Sequence, residues 1–300
     1  MLPVLFRIGP LSIHSYGMML AVGFLVGAWL LRRDLRRWHL PEDLADRTAV
    51  AAMIGGIVGA KLYFALVEAP SEFWAHPLAT LFSGAGLTFY GGLAGAIILL
   101  LWVFRRARVS VVHMADLIAP IIVLGYGFGR VGCFLSGDGD YGPPTSLLWG
   151  MSFPHGTVPT TLHVHPTPLY EIILMWGGFA FLWFWLRRRN PPRGVMTGAA
   201  FLVMGVERVV TEFWRLDSGV LAAANYDVAH GTTPAEIAAF RIAVEVHRAY
   251  AGLSITQWVS IVLALVGLVI VWTRRAAPRA IPPGDKGRER SARKEPAPPR

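Results

Sequence analysis

The fold class the sequence predicts is an all-α integral membrane protein with seven transmembrane helices, and three observations carry it. Of 300 residues, 54% are hydrophobic and 16% charged, where a soluble domain holds roughly 45–50% and about 25%. The apolar residues gather into stretches at 11–31, 48–68, 85–104, 111–135, 166–186, 194–213 and 255–273, each near the ~20 residues that cross a bilayer. The basic residues are sorted between those stretches. A water-filled α/β enzyme, a nucleic-acid-binding domain and a disordered chain are poor fits to this composition. Helices are expected over strands because a helix satisfies its own backbone hydrogen bonds in lipid.

Taken in order, the leading MLPVLFRIGPLSIHSYG has no basic n-region and no small-residue cleavage site, so it reads as retained and not as a signal peptide. Behind the first stretch, the connector 32–47 carries Arg32, Arg33, Arg36, Arg37 and Arg47. Connector 105–108 holds Arg105, Arg106 and Arg108, and connector 187–193 holds Arg187, Arg188, Arg189 and Arg193. Nine more Lys or Arg lie from 274 onward, so these four segments hold 21 of the 28 basic residues. With seven spans all four fall on one side, which the positive-inside rule makes cytoplasmic. The N-terminus then faces outward and the C-terminus inward.

Residues 1–273 therefore read as one membrane domain, and 274–300 as a disordered basic cytoplasmic tail. The longer outward segments, 136–165 and 214–254, would form a small extracytoplasmic head. The first is punctuated by Gly and Pro and reads as loop. The second contains Thr233-Pro234-Ala235-Glu236, a helix start with a capping box, followed by Ile237, Phe240, Val244 and His247 at helical spacing. That short amphipathic helix fits a lid or a simple packing element equally well. Membrane lipid is an expected partner and nucleic acid is not, since the basic residues sit in separate short connectors with no reading module.

Function is carried by the charges left inside the apolar stretches. Lys61, Arg130, Arg208, Asp116, Glu171, Glu207 and Glu212 lie there, and each costs several kcal/mol at mid-bilayer unless paired or hydrated. Arg208, Glu212 and Arg215 are spaced i, i+4, i+7 and share a face of one predicted helix, with Glu207 about 100° away. Two arginines to one glutamate leave a guanidinium free near the outer interface, a fork suited to phosphate. Arg130 lies in GYGFGRVGCFLSGDGDYG (125–142). Its glycines at 125, 127, 129 and 132 allow close helix contact. Gly137, Gly139 and Gly142 suit an exposed turn whose N–H groups can face a phosphate. Tyr16 and Tyr90 sit near the outer ends of the first and third stretches. His163 and His165 form an HxH pair with no third ligand at an obvious spacing, so no metal is expected. A single cysteine, Cys133, excludes a disulfide framework. A transporter lined by Arg130 and Arg208 is the competing reading from another class.

Several motifs together resemble the prolipoprotein diacylglyceryl transferase family of bacterial inner membranes. They are IHSYG (13–17), FYGGLAG (89–95), GRVGCFLSGD (129–138), HPTPLYE (165–171), ERVVTEFWR (207–215) and LSITQ (253–257). The resemblance implies a multi-pass inner-membrane transferase that needs no cofactor. It would move the sn-1,2-diacylglyceryl group of phosphatidylglycerol onto the lipobox cysteine thiol of a preprolipoprotein still bearing its signal peptide. A thioether forms and glycerol-1-phosphate leaves. The implied phosphodiester grips are Arg130 and Arg208, with Glu212 orienting Arg208. Asp138 takes the place of a family glutamate, Tyr16 matches a family tyrosine, and Gly137 and Gly142 belong to the lipid-binding loop. Family members often carry His where Tyr90 stands and Asn where Cys133 stands. Tyr titrates near 10, so Tyr90 is expected as a hydrogen-bond donor and the general base is left open.

Overall fold

The computed structural model describes residues 1–9, 11–82, 88–215 and 253–279. The amphipathic helix expected at 233–247 and most of the basic tail lie outside them. Two compact units emerge, one of Met1–Val26 with Ile118–Ala280 and one of Gly27–Leu117.

The chain opens with a hairpin, β1 (Val4–Ile8) and β2 (Leu11–His14), that feeds directly into α1 (Ser15–Arg37). Then come α2 (Leu44–Tyr63), extended by a π turn to Glu68, the short α3 (Pro70–Ala75) and α4 (Pro77–Phe82), α5 (Phe89–Arg106) and α6 (Val111–Ser136). After the hairpin β3 (Met151–Phe153) and β4 (Thr160–Val164) follow α7 (Thr167–Ala180), α8 (Val195–Thr211) and α9 (Ile255–Arg274). Arg36 and Arg37 close α1, and Arg105 and Arg106 close α5. There a cation complements the helix's negative end.

Among the described residues, six helical stretches are long and apolar enough to cross a membrane: Ser15–Arg37, Leu44–Glu68, Phe89–Arg106, Val111–Ser136, Thr167–Arg189 and Ile255–Arg274. The chain is thus a mostly helical membrane protein. The stretch expected at 194–213 is α8, whose 17 residues rise about 25 Å at 1.5 Å each. A 3₁₀ turn, Glu212–Trp214, ends it. Large apolar side chains such as Ile173, Phe184, Val262 and Leu268 point outward and are exposed, as lipid contact requires.

Within the second unit α2 packs on α5 backbone to backbone: a Cβ at Gly55 would stand 2.5 Å from the Gly95 carbonyl oxygen. In the first unit α8 and α9 approach likewise, where a Cβ at Gly267 would meet the Gly198 oxygen at 2.5 Å. These are the small-residue contacts of membrane helices. Of the glycines expected to serve this purpose on α6, only Gly132 does, where a Cβ would stand 3.0 Å from the Tyr16 Cα of α1. Gly127 makes room for the Trp176 indole and Gly132 for Tyr16, while Gly125 and Gly129 have nothing within 4 Å. At Gly127 a side chain fills the space, whereas at Gly132 the Tyr16 backbone and ring both do.

The segment 136–165 is more ordered than its Gly and Pro content suggests. Tyr141, fully buried, stacks on Phe153 with centroids 3.9 Å apart, and both pack with Val164. The chain from Ser136 onward is stitched to the hairpin. Thr157 N donates to Ser136 O (2.9 Å), Val158 N to Gly137 O (2.8 Å) and Gly142 N to His165 O (2.9 Å). The loop after α6 is therefore a fixed third edge of a small sheet-like platform.

Candidate functional site

A cluster of charged side chains gathers within the first unit. Arg130 is near the C-terminal end of α6, Glu171 is in the second turn of α7, and Arg208 is in the last turn of α8. Glu212 lies in the 3₁₀ turn, and Arg215 follows it in extended conformation. Asp140 comes from the platform loop.

Their side chains form one knot. Glu171, with no exposed surface, is ion-paired through Oε2 with Arg130 Nε (3.1 Å). Its Oε1 receives Arg208 Nη1 (3.0 Å) and Arg215 Nη1 (3.4 Å). Arg208 Nη2 reaches Glu212 Oε2 at 2.8 Å. Asp140 joins the remaining pair: Oδ2 accepts from Arg130 Nη1, and Oδ1 from Arg215 Nη2 at 2.5 Å. Three guanidiniums thus balance three carboxylates, each arginine about one-fifth exposed. Balance is what permits the charges here, since an unpaired buried charge costs several kcal/mol.

Neighbours hold the knot in place. The Tyr126 hydroxyl donates to Glu171 Oε1 (3.4 Å), and its ring lies 5.0 Å from the Arg130 guanidinium carbon. Ser254 caps α9 through a capping box with Gln257 and also donates to Glu212 Oε1 (3.0 Å). Gln257 Nε2 donates to Val209 O (3.2 Å). The start of α9 therefore fixes the end of α8. Thr167 Oγ1 donates to Trp214 O (2.7 Å), tying the start of α7 to the same turn. Gly142 is pressed against it: a Cβ there would run into the Trp214 carbonyl oxygen and stand 2.7 Å from His165 Cβ.

Beside the knot is a cleft of about 370 Å³ lined by Pro3, His14, Tyr16, Gly17, Ser136, Asp138 and Thr157. Tyr16 is 43% exposed and lies within electrostatic reach of Arg130, Asp138 and Asp140. Burial pushes the Asp138 carboxyl above its ordinary range; nearby Asp140 adds to the rise and a hydrogen bond from Cys133 opposes it. Gly137 (φ +61°) and Gly139 (φ +94°) occupy left-handed backbone that favours glycine. The cleft itself carries no arginine among the described residues; it is the partly exposed guanidiniums of the neighbouring knot that can bind an anionic head group and steady charge that builds up on it.

The sequence-expected residues divide accordingly. Arg130, Arg208 and Glu212 meet in the knot, Tyr16 and Asp138 share the cleft, and Gly137 and Gly142 shape the loop between them. Tyr90 stands in the second unit at the start of α5, 69% exposed and edge-on to Phe89. The guanidinium expected to be free is paired, because Arg215 leaves the helix and turns to Asp140 and Glu171. The sequence by itself does not assign Glu171 and Asp140 to the site. A charge inside an apolar stretch marked Glu171, but nothing local marked Asp140.

Cys133 Sγ and carboxylate oxygens of Asp138 and Asp140 lie within 4.8 Å of one another, a spacing compatible with metal ligation. Both Asp140 oxygens already serve arginines, however, and Cys133 Sγ accepts from Arg130 at 3.8 Å. His163 and His165 are not part of that group. Burial holds the His165 imidazole below its ordinary pKa, and its Nδ1 lies 3.1 Å from the Tyr170 hydroxyl.

A family model described as prolipoprotein diacylglyceryl transferase matches residues 3–273. A phosphatidylglycerol–prolipoprotein diacylglyceryl transferase of Bordetella avium is 33% identical over 92% of this chain and 96% of its own. Proteins of the same name from Clostridium tetani (34%, covering 72% and 86%) and Pseudomonas fluorescens (36%, covering 73% and 82%) are also similar.

Proposed function

Since the chain belongs to the prolipoprotein diacylglyceryl transferase family, we propose that it transfers the diacylglyceryl group of phosphatidylglycerol to a prolipoprotein cysteine at the arginine–carboxylate knot. The observation that carries the site assignment is the convergence of Arg130, Arg208 and Arg215 on shared carboxylates beside the Tyr16–Asp138 cleft.

The reaction needs a thiolate at the acceptor and a stabilised leaving phosphate. The acceptor is the lipobox cysteine of a preprolipoprotein that retains its signal peptide. Its sulfur attacks the terminal glyceryl carbon bearing the phosphate. The carbon–oxygen bond breaks, and its electron pair leaves with glycerol-1-phosphate as the thioether forms. Arg130 and Arg208 grip the phosphodiester, because guanidiniums bind phosphate oxygens in pairs. Glu212, anchored by Ser254, keeps Arg208 turned toward the site. Tyr16, Asp138 and the Gly137–Gly142 loop contact the lipid head group. Tyr90 donates a hydrogen bond during turnover, and its exposure on α5 leaves its hydroxyl available. Cys133 is not the acceptor; that thiol belongs to the substrate.

In this reading α8 is the sixth of seven spans, completed by its 3₁₀ turn. The N-terminus faces outward and the C-terminus inward across a bacterial inner membrane. The hairpin platform belongs to the outer head; most of the segment 214–254 lies outside the described residues. The test is direct: purified protein is given labelled phosphatidylglycerol and a lipobox peptide, and the peptide cysteine gains a diacylglyceryl thioether by mass. A folded sample that binds both substrates and forms no such product would refute the assignment.

A further inference from the structure

The three carboxylates of the knot are not equivalent. Glu171 is carried in α7 with no exposed surface, and Glu212 is 4% exposed in the turn that closes α8. Neither can leave its arginines without moving a helix. Asp140 is about one-fifth exposed and sits in a loop. It follows Gly139, in left-handed backbone, and precedes Tyr141 and Gly142, which are pinned to the platform. Its two oxygens are split between two arginines, Oδ2 to Arg130 and Oδ1 to Arg215. A phosphodiester presents two non-bridging oxygens that share one negative charge, and it can span two guanidiniums in the same way.

The knot as it stands is neutral, so an incoming phosphate must either add a fourth anion or replace one. Adding it would leave excess negative charge in a mostly buried cluster, at a cost of several kcal/mol. Replacing Asp140 keeps the balance and moves only a loop side chain. We propose that Asp140 is a tethered competitor: it occupies the Arg130–Arg215 fork in the unliganded protein, and the phosphate of the anionic lipid displaces it. This rests on the lipid-phosphate reading of the site above. It adds that Arg215 contacts substrate and that Asp140 sets lipid affinity. When the product glycerophosphate leaves, the carboxylate re-enters the fork and opposes rebinding.

Two measurements test it. With Asp140→Asn, phosphatidylglycerol in detergent micelles binds at least threefold more tightly, and glycerol-1-phosphate inhibits more strongly. In the unmodified protein, carbodiimide-driven coupling of glycinamide to Asp140, mapped by mass spectrometry, rises at least threefold on adding phosphatidylglycerol. Diacylglycerol, which lacks the phosphate, leaves it unchanged, and Glu171 and Glu212 stay unlabelled throughout. Binding by Asp140→Asn that is equal to or weaker than the parent's would overturn the proposal. So would Asp140 labelling that does not rise, which decides the matter if the variant fails to fold. The outcomes separate from the enzymatic reading. Thioether formation with Asp140 indifferent to lipid sinks the competitor alone; lipid-dependent release of Asp140 without thioether product sinks the transferase assignment alone.

Discussion

Replacing Glu171 with Gln removes one charge and almost no volume, so its effect isolates the electrostatics of the knot. The carboxylate meets three guanidiniums at 3.0, 3.1 and 3.4 Å and is fully buried. Without it, three arginines face only Asp140 and Glu212, and the Gln amide adds N–H donors where acceptors are needed. Breaking a buried pair by removing one partner costs about 3–5 kcal/mol. Losing three contacts at once would exceed that, but each arginine keeps another carboxylate and is about one-fifth exposed, so water recovers part of the loss. The expected destabilisation is about 3 kcal/mol, or roughly a hundredfold in the unfolding equilibrium at ~1.4 kcal/mol per decade. Heat-induced loss of helicity in detergent reads it, and the thioether assay below the melting temperature reads the loss of arginine alignment, expected at tenfold or more in kcat. A Glu171→Gln protein within about 1 kcal/mol of the parent, with undiminished turnover, would refute the view that this carboxylate organises the site.

Other perturbations probe separate parts of the assembly. Arg130→Ala and Arg208→Ala each remove most thioether formation while the protein still inserts into membranes, as checked by product mass and carbonate extraction. Ser254→Ala loses both a helix cap and the hydrogen bond to Glu212, lowering stability by about 1 kcal/mol in a thermal melt and raising KM for lipid. Tyr90→Phe lowers kcat up to about tenfold, the loss of one hydrogen bond of about 1 kcal/mol; unchanged kinetics would reassign its ring to packing. Asp138 gives a pH signature. Its native pKa lies above the ordinary value, so the folded chain holds that proton where the unfolded chain has released it. Its contribution makes stability fall as pH rises from about 3.9 through the native pKa and level off beyond it. Melts of parent and Asp138→Asn across that window should differ in slope.

The sequence determined whatever depends on neighbours along the chain. Span positions follow from runs of apolar residues, and the sorting of arginines into connectors is a count. Arg130, Arg208 and Glu212 stood out because a charge in an apolar run is costly wherever the helix goes. Motif order across HPTPLYE and ERVVTEFWR pointed to the same family that similarity over residues 3–273 establishes. Tertiary structure alone decided which charges meet. Asp140 and Arg215 are 75 residues apart, and Ser254 and Glu212 are 42 apart; no periodicity links them. Arg215 was misjudged for a definite reason. Helical spacing put it on the Arg208 face, but α8 ends at Thr211, and the chain turns Arg215 toward carboxylates from α7 and the loop after α6. The Gly-rich segment after α6 shows the same division. Its composition signalled a turn, and only the stacking of Tyr141 on Phe153 made that turn a rigid arm delivering Asp140. Local chemistry can mark a charge as expensive, but only the packed fold supplies the partners that make it affordable.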